Sequence, residues 1–316
     1  MQRRKLGRTP VEVTELGFGG APIGSLFTAT SDEDAQAAVH AAWDGGVRYF
    51  DTAPHYGLGL SERRLGAALA GKPRAEYAVS TKVGRLLVDN PAPTGSDLAA
   101  GGFAVPDTSI RVRDYSADGV HRSIETSLTR LALDRIDIVL IHDPEDHMDD
   151  ALHRAVPALT ELREQGVIGA VGAGMNFWQP LLRFVTETDV DVVMVAGRWT
   201  LADRSAAPLL DACEARDVSV LAAAPFNSGL LSRPWPPDGA HFDYGPAPDD
   251  VLARARALAS VCERHGVQLP HAAMQFPLRR PAVASVVAGM RTRTHARTDI
   301  AWATESLPDD LWADLG

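Results

Sequence analysis

The sequence predicts an α/β fold of the (β/α)8 TIM-barrel type, in which eight parallel strands alternate with helices. Short apolar or β-branched runs alternate with longer segments of helical spacing along the whole chain. Most of the short runs are apolar throughout, as expected for parallel strands that are buried on both faces. The length of 316 residues suits such a barrel. We therefore expect one domain that spans residues 1–316.

The individual elements follow from these patterns in chain order. Residues 3–13 hold Gly7 and Pro10 between short extended runs and predict a β-hairpin that closes the bottom of the barrel. Strands are predicted at 16–20, 47–51, 77–82, 136–142, 168–174, 190–197, 218–224 and 283–288. Helices are predicted at 32–45, 61–71, 117–132, 149–165, 179–187, 205–216, 250–265 and, from a weaker pattern, 294–303. The segments 85–116, expected to be irregular, and 232–249, which is Pro-rich, predict long loops at the C-terminal face.

Composition narrows the class of protein. The chain is 45% hydrophobic and 23% charged, with a net charge of −10, which argues against nucleic-acid binding and suits an enzyme of small molecules. Cys213 and Cys262 fall within predicted helices and suggest a reducing compartment. No metal-ligand spacing, signal peptide or membrane-spanning run is present, so we expect a cytoplasmic protein without a metal. The oligomeric state stays open.

Four polar residues stand out because of their positions relative to the predicted strands. Asp51, Lys82 and His142 each end a strand, and Tyr56 follows Asp51 after a short loop. Since the carboxyl ends of barrel strands meet at one mouth, we expect these side chains to lie together. Each has a structural alternative when taken alone, such as a helix cap for Asp51 or a loop cap for His142. Together they predict an acid–base set for a carbonyl or hydroxyl group.

The chemistry of this set indicates an oxidoreductase. A phenol has a pKa near ~10, and a nearby ammonium lowers it, so Lys82 is expected to prepare Tyr56 for proton transfer. Asp51 can hold Lys82 in place, and His142 can donate a hydrogen bond to a substrate oxygen. Side chains cannot deliver a hydride, so a nicotinamide cofactor, NAD or NADP, is implied.

The motifs resemble the aldo-keto reductase family along nearly the whole chain. The matching stretches are RKLGRT (4–9), LGFGG (16–20), GGVRYFDTAPHYG (45–57), SExxLG (61–66), STKVG (80–84), DIVLIH (137–142) and the segment from Gly172 to Asn176. The resemblance implies a barrel that binds NAD(P)(H) across the strand ends. The family's catalytic Asp, Tyr, Lys and His match Asp51, Tyr56, Lys82 and His142.

The resemblance also implies a set of cofactor contacts. They are Gly20, Ala21, Asp51, Asn176, Phe226, Ser228, Gly229, Leu231, Gly289, Arg291, His295 and Asp299. Gly289 allows close backbone approach, and a helix beginning near Thr294 offers an anion-binding N-terminus. Arg291, and less so Arg293 and Arg297, are candidates to grip a 2′-phosphate. Ala196 and Ala223 replace the family's usual Gln and stacking aromatic, so stacking falls to Trp199 or Phe226, or is absent.

Further stretches resemble one branch of the family. HDPED (142–146), AGMN (173–176), AGRWTL (196–201) and FNSGLL (226–231) look like the aldose 1-dehydrogenases acting on L-fucose or D-threo-aldoses and the related pyridoxal 4-dehydrogenases. The resemblance implies oxidation of an aldose at C1 to a lactone, with NAD ranked before NADP. Trp178, Arg198 and Trp199 are the candidate substrate contacts. The alternatives are pyridoxal oxidation, general aldehyde or ketone reduction, and a cofactor-sensing regulatory subunit.

Overall fold

Eight parallel strands close into a barrel in the computed structural model, which describes residues 1–316. Around the barrel each strand pairs with the next one in chain order. The barrel strands are β3 (Leu16–Gly19), β4 (Tyr49–Asp51), β5 (Ala78–Val83), β8 (Ile136–His142), β9 (Ile168–Met175), β10 (Val192–Ala196), β11 (Ser219–Ala223) and β14 (Val283–Gly289). The predicted (β/α)8 barrel is confirmed.

Helices cover the outside of the barrel. They are α1 (Asp32–Asp44), α2 (Leu60–Leu69), α3 (Leu98–Gly101), α4 (Ala117–Leu131), α5 (Met148–Asp150), α6 (Val156–Glu164), α7 (Trp178–Glu187), α8 (Ala207–Arg216), α9 (Asp249–Arg264), α10 (Leu269–Gln275), α11 (Arg293–Thr304) and α12 (Asp309–Leu315). A π-helical turn, Ala151–Ala155, joins α5 to α6. All eight predicted helices are present, whereas α3, α10 and α12 escaped prediction. None of the helices combines the length and the apolar character that a bilayer crossing demands.

Strand alternation decides which side chains face the barrel interior. Successive strand residues point to opposite faces, so every second residue of a strand points inward. Along β8, Ile138 and Leu140 belong to a 12-residue interior cluster, and Val139 belongs to the outer cluster of 66 residues packed under the helices. His142 has the same parity as Leu140 and therefore faces the interior at the mouth. The same rule turns Asp51 inward two residues after Tyr49.

The N-terminal hairpin closes the opposite end of the barrel. β1 (Arg3–Lys5) pairs antiparallel with β2 (Glu12–Thr14), as predicted. Leu6 and Val13 are fully buried and complete the interior cluster from below. Because this plug is apolar and tightly packed, ligands have access to the barrel interior only at the C-terminal mouth.

The segment 85–116 is not irregular, and that expectation was wrong. β6 (Arg85–Asp89) and β7 (Ser109–Arg113) pair antiparallel over five residue pairs, and we call residues 85–113 the ribbon. The strands escaped prediction because they are short and carry charged residues, at both ends of β6 and in the second half of β7. The 232–249 segment likewise contains a two-residue pair, β12 (His241–Phe242) and β13 (Gly245–Pro246). Both segments follow barrel strands at the C-terminal face, as expected.

Candidate active site

The base of the mouth is a buried ion pair between Asp51 and Lys82. Lys82 Nζ lies 2.9 and 2.8 Å from the two carboxylate oxygens of Asp51, and both side chains are almost fully buried. Ser80 Oγ donates a further hydrogen bond of 2.7 Å to Asp51 Oδ1. Each charge is therefore compensated, which a buried pair needs in order to persist. The pair fixes the direction of the lysine ammonium.

Tyr56 sits on the ammonium of Lys82. Lys82 Nζ donates to Tyr56 Oη over 3.1 Å and to the backbone oxygen of Thr52 over 3.0 Å. The turn after Tyr56 needs Gly57, because its φ is +64° and an added Cβ would lie 2.2 Å from the Gly24 carbonyl oxygen. This close approach of two backbone segments anchors the loop that carries the phenol. The predicted convergence of Asp51, Tyr56 and Lys82 is confirmed.

Burial changes the expected acid–base balance of the tyrosine. Desolvation raises the pKa of Tyr56 to about 12, and the Lys82 charge opposes this rise without cancelling it. Burial alone would lower the pKa of Lys82, but Asp51 and Tyr56 outweigh it and the pKa is raised. The pKa of the phenol is therefore raised and not lowered as expected, because burial outweighs the charge of Lys82. The direction of the lysine effect is as expected.

His142 completes the set as a neutral imidazole. Its ring centroid lies 5.9 Å from that of Tyr56, nearly perpendicular to it. Burial first, and then the charges of Arg85 and Lys82, hold the pKa of His142 well below its ordinary value. A neutral ring carries one N–H, which can donate to a substrate oxygen. This state is compatible with the predicted role of His142 as a hydrogen-bond donor.

The ribbon covers the mouth. Phe103, which is buried, lies 6.0 Å from the Tyr56 ring and 5.2 Å, edge-on, from the His55 ring. Arg111 donates to the backbone oxygen of His55 over 3.0 Å and pairs with both carboxylate oxygens of Asp97. The region around Tyr56 is therefore roofed by a segment fixed through charged hydrogen bonds.

The three predicted substrate contacts lie in different surroundings, and only one of them is at the mouth. Trp199 is buried, packs against Phe276 at 5.5 Å and donates to the Pro277 backbone oxygen, so its indole points away from the mouth. Its assignment to substrate binding or nicotinamide stacking was wrong. Trp178 is half-buried at the start of α7 and packs against the outer core. Arg198 lies at the mouth, where it pairs with Asp203 and Asp243.

The remaining predicted cofactor contacts lie on or beside loops at the C-terminal face. Phe226 packs edge-on against Trp302 at 5.9 Å, and exposed Ser228 and Gly229 follow, with Leu231 buried beneath. Gly20 contacts the Asp51 backbone through a 2.8 Å hydrogen bond, with half-buried Ala21 next to it. At the end of β14 lie Gly289, Arg291 and the start of α11, with His295 exposed and Asp299 buried. Asn176 is at the end of β9 and borders a small pocket with Gly197 and Tyr244.

Arg291 is engaged by the protein itself. Nη1 donates to the Thr28 carbonyl and to Thr30 Oγ1, each over 2.6 Å, and Nη2 donates to the Leu26 carbonyl over 2.7 Å. The segment 26–30 therefore braces this arginine. Arg293 and Arg297 are exposed.

Several residues at the mouth escaped the sequence reasoning. His55 and Phe103 contact the Tyr56 ring, while Arg85 pairs with Asp143, next to His142. The HDPED stretch contained a signal, since a carboxylate directly after the strand-end histidine must also lie at the mouth. Phe103 and Arg85 carried no signal, because their positions depend on how the ribbon folds back.

The fold and this site define a class of protein: a (β/α)8 barrel that carries a buried tyrosine–lysine–aspartate set at its mouth. The Aldo/keto reductase family profile matches residues 15–315. A D-threo-aldose 1-dehydrogenase of Pseudomonas sp is 47% identical over 307 residues, covering 96% of this chain and 93% of that protein. A pyridoxal 4-dehydrogenase of Microbacterium luteolum is 40% identical and covers 99% and 96%.

A solved structure supports the same fold. An aldo-keto reductase from Bacillus halodurans, in its holo form, superimposes with a TM-score of 0.79 at 24% identity and covers 100% of this chain and 96% of that one. The chain belongs to the aldo/keto reductase family. It is an oxidoreductase enzyme of that family.

Proposed function

We propose that this chain is an aldose 1-dehydrogenase that oxidises the C1 hemiacetal hydroxyl of a cyclic aldose to the lactone, with NAD as its preferred oxidant. The single observation that carries the chemistry is the hydrogen bond of 3.1 Å from Lys82 Nζ to Tyr56 Oη above the Asp51 ion pair. The similarity to a D-threo-aldose 1-dehydrogenase supports the substrate class. Asp51, Tyr56, Lys82 and His142 are assigned the catalytic roles.

In this reaction, Tyr56 Oη takes the proton of the C1 hydroxyl. Lys82 donates to the same oxygen and stabilises the phenolate form, because an adjacent ammonium favours the charged state. Neutral His142 orients the substrate oxygen through a hydrogen bond. A bound nicotinamide supplies the acceptor for the hydride that leaves C1. Phe103 and the ribbon exclude water from the region where the proton moves.

The predicted cofactor contacts at the C-terminal face fit a nicotinamide dinucleotide. Burial alone raises the pKa of Asp299 to about 7, and no partner charge compensates it, so a hydrogen-bond donor from an adenine ring suits this carboxyl. Gly289 leaves its backbone exposed, and an added Cβ would lie 3.0 Å from Pro22. Gly20, Ala21, Asn176, Ser228, Gly229, Leu231 and His295 are assigned to the remaining contacts, together with Phe226.

The choice of NAD over NADP rests on Arg291. A 2′-phosphate needs a guanidinium or ammonium with free donors. Three of the five N–H donors of Arg291 already donate to the segment Leu26–Thr30, which leaves only the Nε hydrogen and one Nη2 hydrogen for a phosphate. Arg293 and Arg297 are exposed, so ordering either around a phosphate would cost side-chain entropy.

The test is steady-state oxidation of an aldose panel, including L-fucose and D-threo-aldoses, with NAD and with NADP. We expect lactone formation and a higher kcat/KM with NAD. A preference for NADP above about tenfold, equivalent to about 1.4 kcal/mol, would contradict the cofactor assignment. Turnover of pyridoxal without turnover of any aldose would contradict the substrate class. Cofactor binding without oxidation or reduction of any substrate would favour a regulatory subunit.

A further inference from the structure

A second ion pair lies at the mouth, beside the catalytic histidine. Arg85, the first residue of the ribbon, donates from Nη2 to Asp143 Oδ2. The same carboxylate oxygen lies 3.5 Å from His142 Nε2. The side chains of Arg85 and Asp143 are only 13% and 21% exposed. A carboxylate and a guanidinium therefore stand next to the point where a substrate oxygen meets His142.

The backbone at Asp143 is held in an unfavourable conformation. Asp143 has a φ of +40°, in the left-handed region that residues other than glycine seldom adopt. Arg113 Nη1 donates to the carbonyl oxygens of His142 and Asp143, over 3.2 and 2.9 Å. Such strain persists where the surroundings enforce it, and it gathers at functional sites. Here it sets the direction of the carboxylate at the end of β8.

Unpaired polar atoms gather around this ion pair. Five buried side-chain nitrogens have no hydrogen-bond partner within the protein, and four of them belong to the mouth: His55 Nδ1, Arg85 Nε, Arg111 Nε and His142 Nδ1. Buried polar atoms in native proteins are nearly always paired, so a cluster of unpaired ones marks a place that a polar ligand satisfies. The catalytic set uses His142 alone among these residues. The remaining donors and acceptors have no role in proton transfer.

The charges facing Asp143 come from several elements. Burial raises the pKa of Asp143, while Arg85, Lys82 and Arg113 oppose the rise. Burial raises the pKa of Tyr244 and the Asp143 charge adds to it, so the carboxylate lies near the 232–249 segment.

From this geometry we infer that the Arg85–Asp143 pair binds sugar hydroxyl groups away from C1 and thereby determines substrate specificity. The inference rests on the proposed aldose oxidation and names the polyol recognition within it. A carboxylate accepts two hydroxyl hydrogens and a guanidinium donates to hydroxyl oxygens, so the pair matches neighbouring hydroxyls on a ring. A simple aldehyde or ketone offers nothing for this pair to bind.

The experiment is a thermodynamic cycle that combines one protein substitution with the removal of one substrate hydroxyl. Wild type and Asp143→Asn are compared on a parent aldose and on deoxy-aldoses that each lack one hydroxyl other than that at C1, with reduction of a hydroxyl-free aldehyde in parallel. We expect Asp143→Asn to raise KM for the parent aldose by about 10- to 100-fold, the loss expected for a hydrogen bond to a charged group. For one deoxy-aldose, KM with the wild type should exceed KM for the parent aldose by a similar factor. With the variant, the two KM values should be almost equal. Aldehyde reduction should fall far less than oxidation of the parent aldose.

The matched control is Asp137→Asn at the other end of β8. Asp137 pairs with Arg74 over 2.6 Å, and their side chains are 16% and 15% exposed, close to the values at the mouth. This control should keep wild-type selectivity. If Asp143→Asn does not fold, Arg85→Gln enters the same cycle and the same losses are expected.

Three outcomes have distinct meanings. An equal loss of aldose oxidation and aldehyde reduction would mean that Asp143 acts by orienting His142, and would overturn the inference. An unchanged penalty for every deoxy-aldose in the variant would also overturn it. If wild type oxidises no aldose but reduces the aldehyde, the proposed function itself fails, which is recognised before any variant is compared.

Discussion

Replacing Lys82 with methionine should displace the pH dependence of oxidation toward alkaline pH. Lys82 Nζ lies 3.1 Å from Tyr56 Oη. With an effective dielectric constant near 20, a unit charge at this distance stabilises the phenolate by about 5 kcal/mol, or roughly four pKa units. Asp51 carries the opposite charge close by, so this figure is an upper limit.

The sign of the effect follows from the role of Tyr56 as the base. Because the pKa of Tyr56 is already raised to about 12, the phenolate fraction at neutral pH falls further when the ammonium is removed. A more basic phenolate accepts a proton more readily, so part of the lost oxidation rate is recovered. We expect kcat/KM for oxidation at pH 8 to fall by about 10²- to 10⁴-fold, with activity recovering as the pH rises.

The assay is the pH–rate profile of aldose oxidation for wild type, Lys82→Met and Lys82→Arg. Lys82→Arg keeps the charge and should recover part of the activity without the full alkaline shift. The thermal transition of each variant separates a loss of folding from a loss of the charge. A Lys82→Met enzyme whose profile keeps the wild-type midpoint would refute this account of the lysine.

Three further predictions test other parts of the structure. Tyr56→Phe should lower kcat by about 10²- to 10⁴-fold with an unchanged dissociation constant for NADH by fluorescence titration, and near-normal kcat would remove Tyr56 from the mechanism. Glu62→Gln should destabilise the fold by about 3 kcal/mol or more in urea unfolding, because Glu62 is fully buried and pairs with Arg130 over 2.5 Å; an unchanged midpoint argues against that value. Phe103→Ala should raise KM for the aldose more than the dissociation constant for NADH, and equal changes in both would contradict the idea that the ribbon covers the substrate.

Much of the site was predictable because it obeys strand periodicity. Asp51, Lys82 and His142 each follow an apolar run, and side-chain alternation alone turns them toward the interior at the carboxyl ends. Tyr56 was predictable only through its short distance along the chain from Asp51. These positions depend on local sequence and on one general property of parallel barrels.

Other features depend on contacts between distant parts of the chain. Burial is the largest influence on the pKa of Tyr56, and Phe103 of the ribbon contributes to it. The sequence shows the nearby lysine but not this burial, so it predicted a lowered pKa. Trp199 has the aromatic ring that stacking on a nicotinamide needs, but the ring packs against Phe276 in the core. The arginine fork of Arg291 is held by carbonyl oxygens of the 26–30 segment, which no spacing rule relates to residue 291.

The ribbon both supports the end of β8 and covers Tyr56. Arg113 holds the backbone carbonyls of His142 and Asp143, while Phe103, midway between the two ribbon strands, roofs Tyr56. Arg113 pairs in register with Arg85, so a change of length at either strand shifts the support of the catalytic strand. Changes confined to the tip around Phe103 leave that register intact. The tip of the ribbon can therefore change without altering the end of β8, whereas its base, which carries Arg85 and Arg113, is constrained by its contacts with His142 and Asp143.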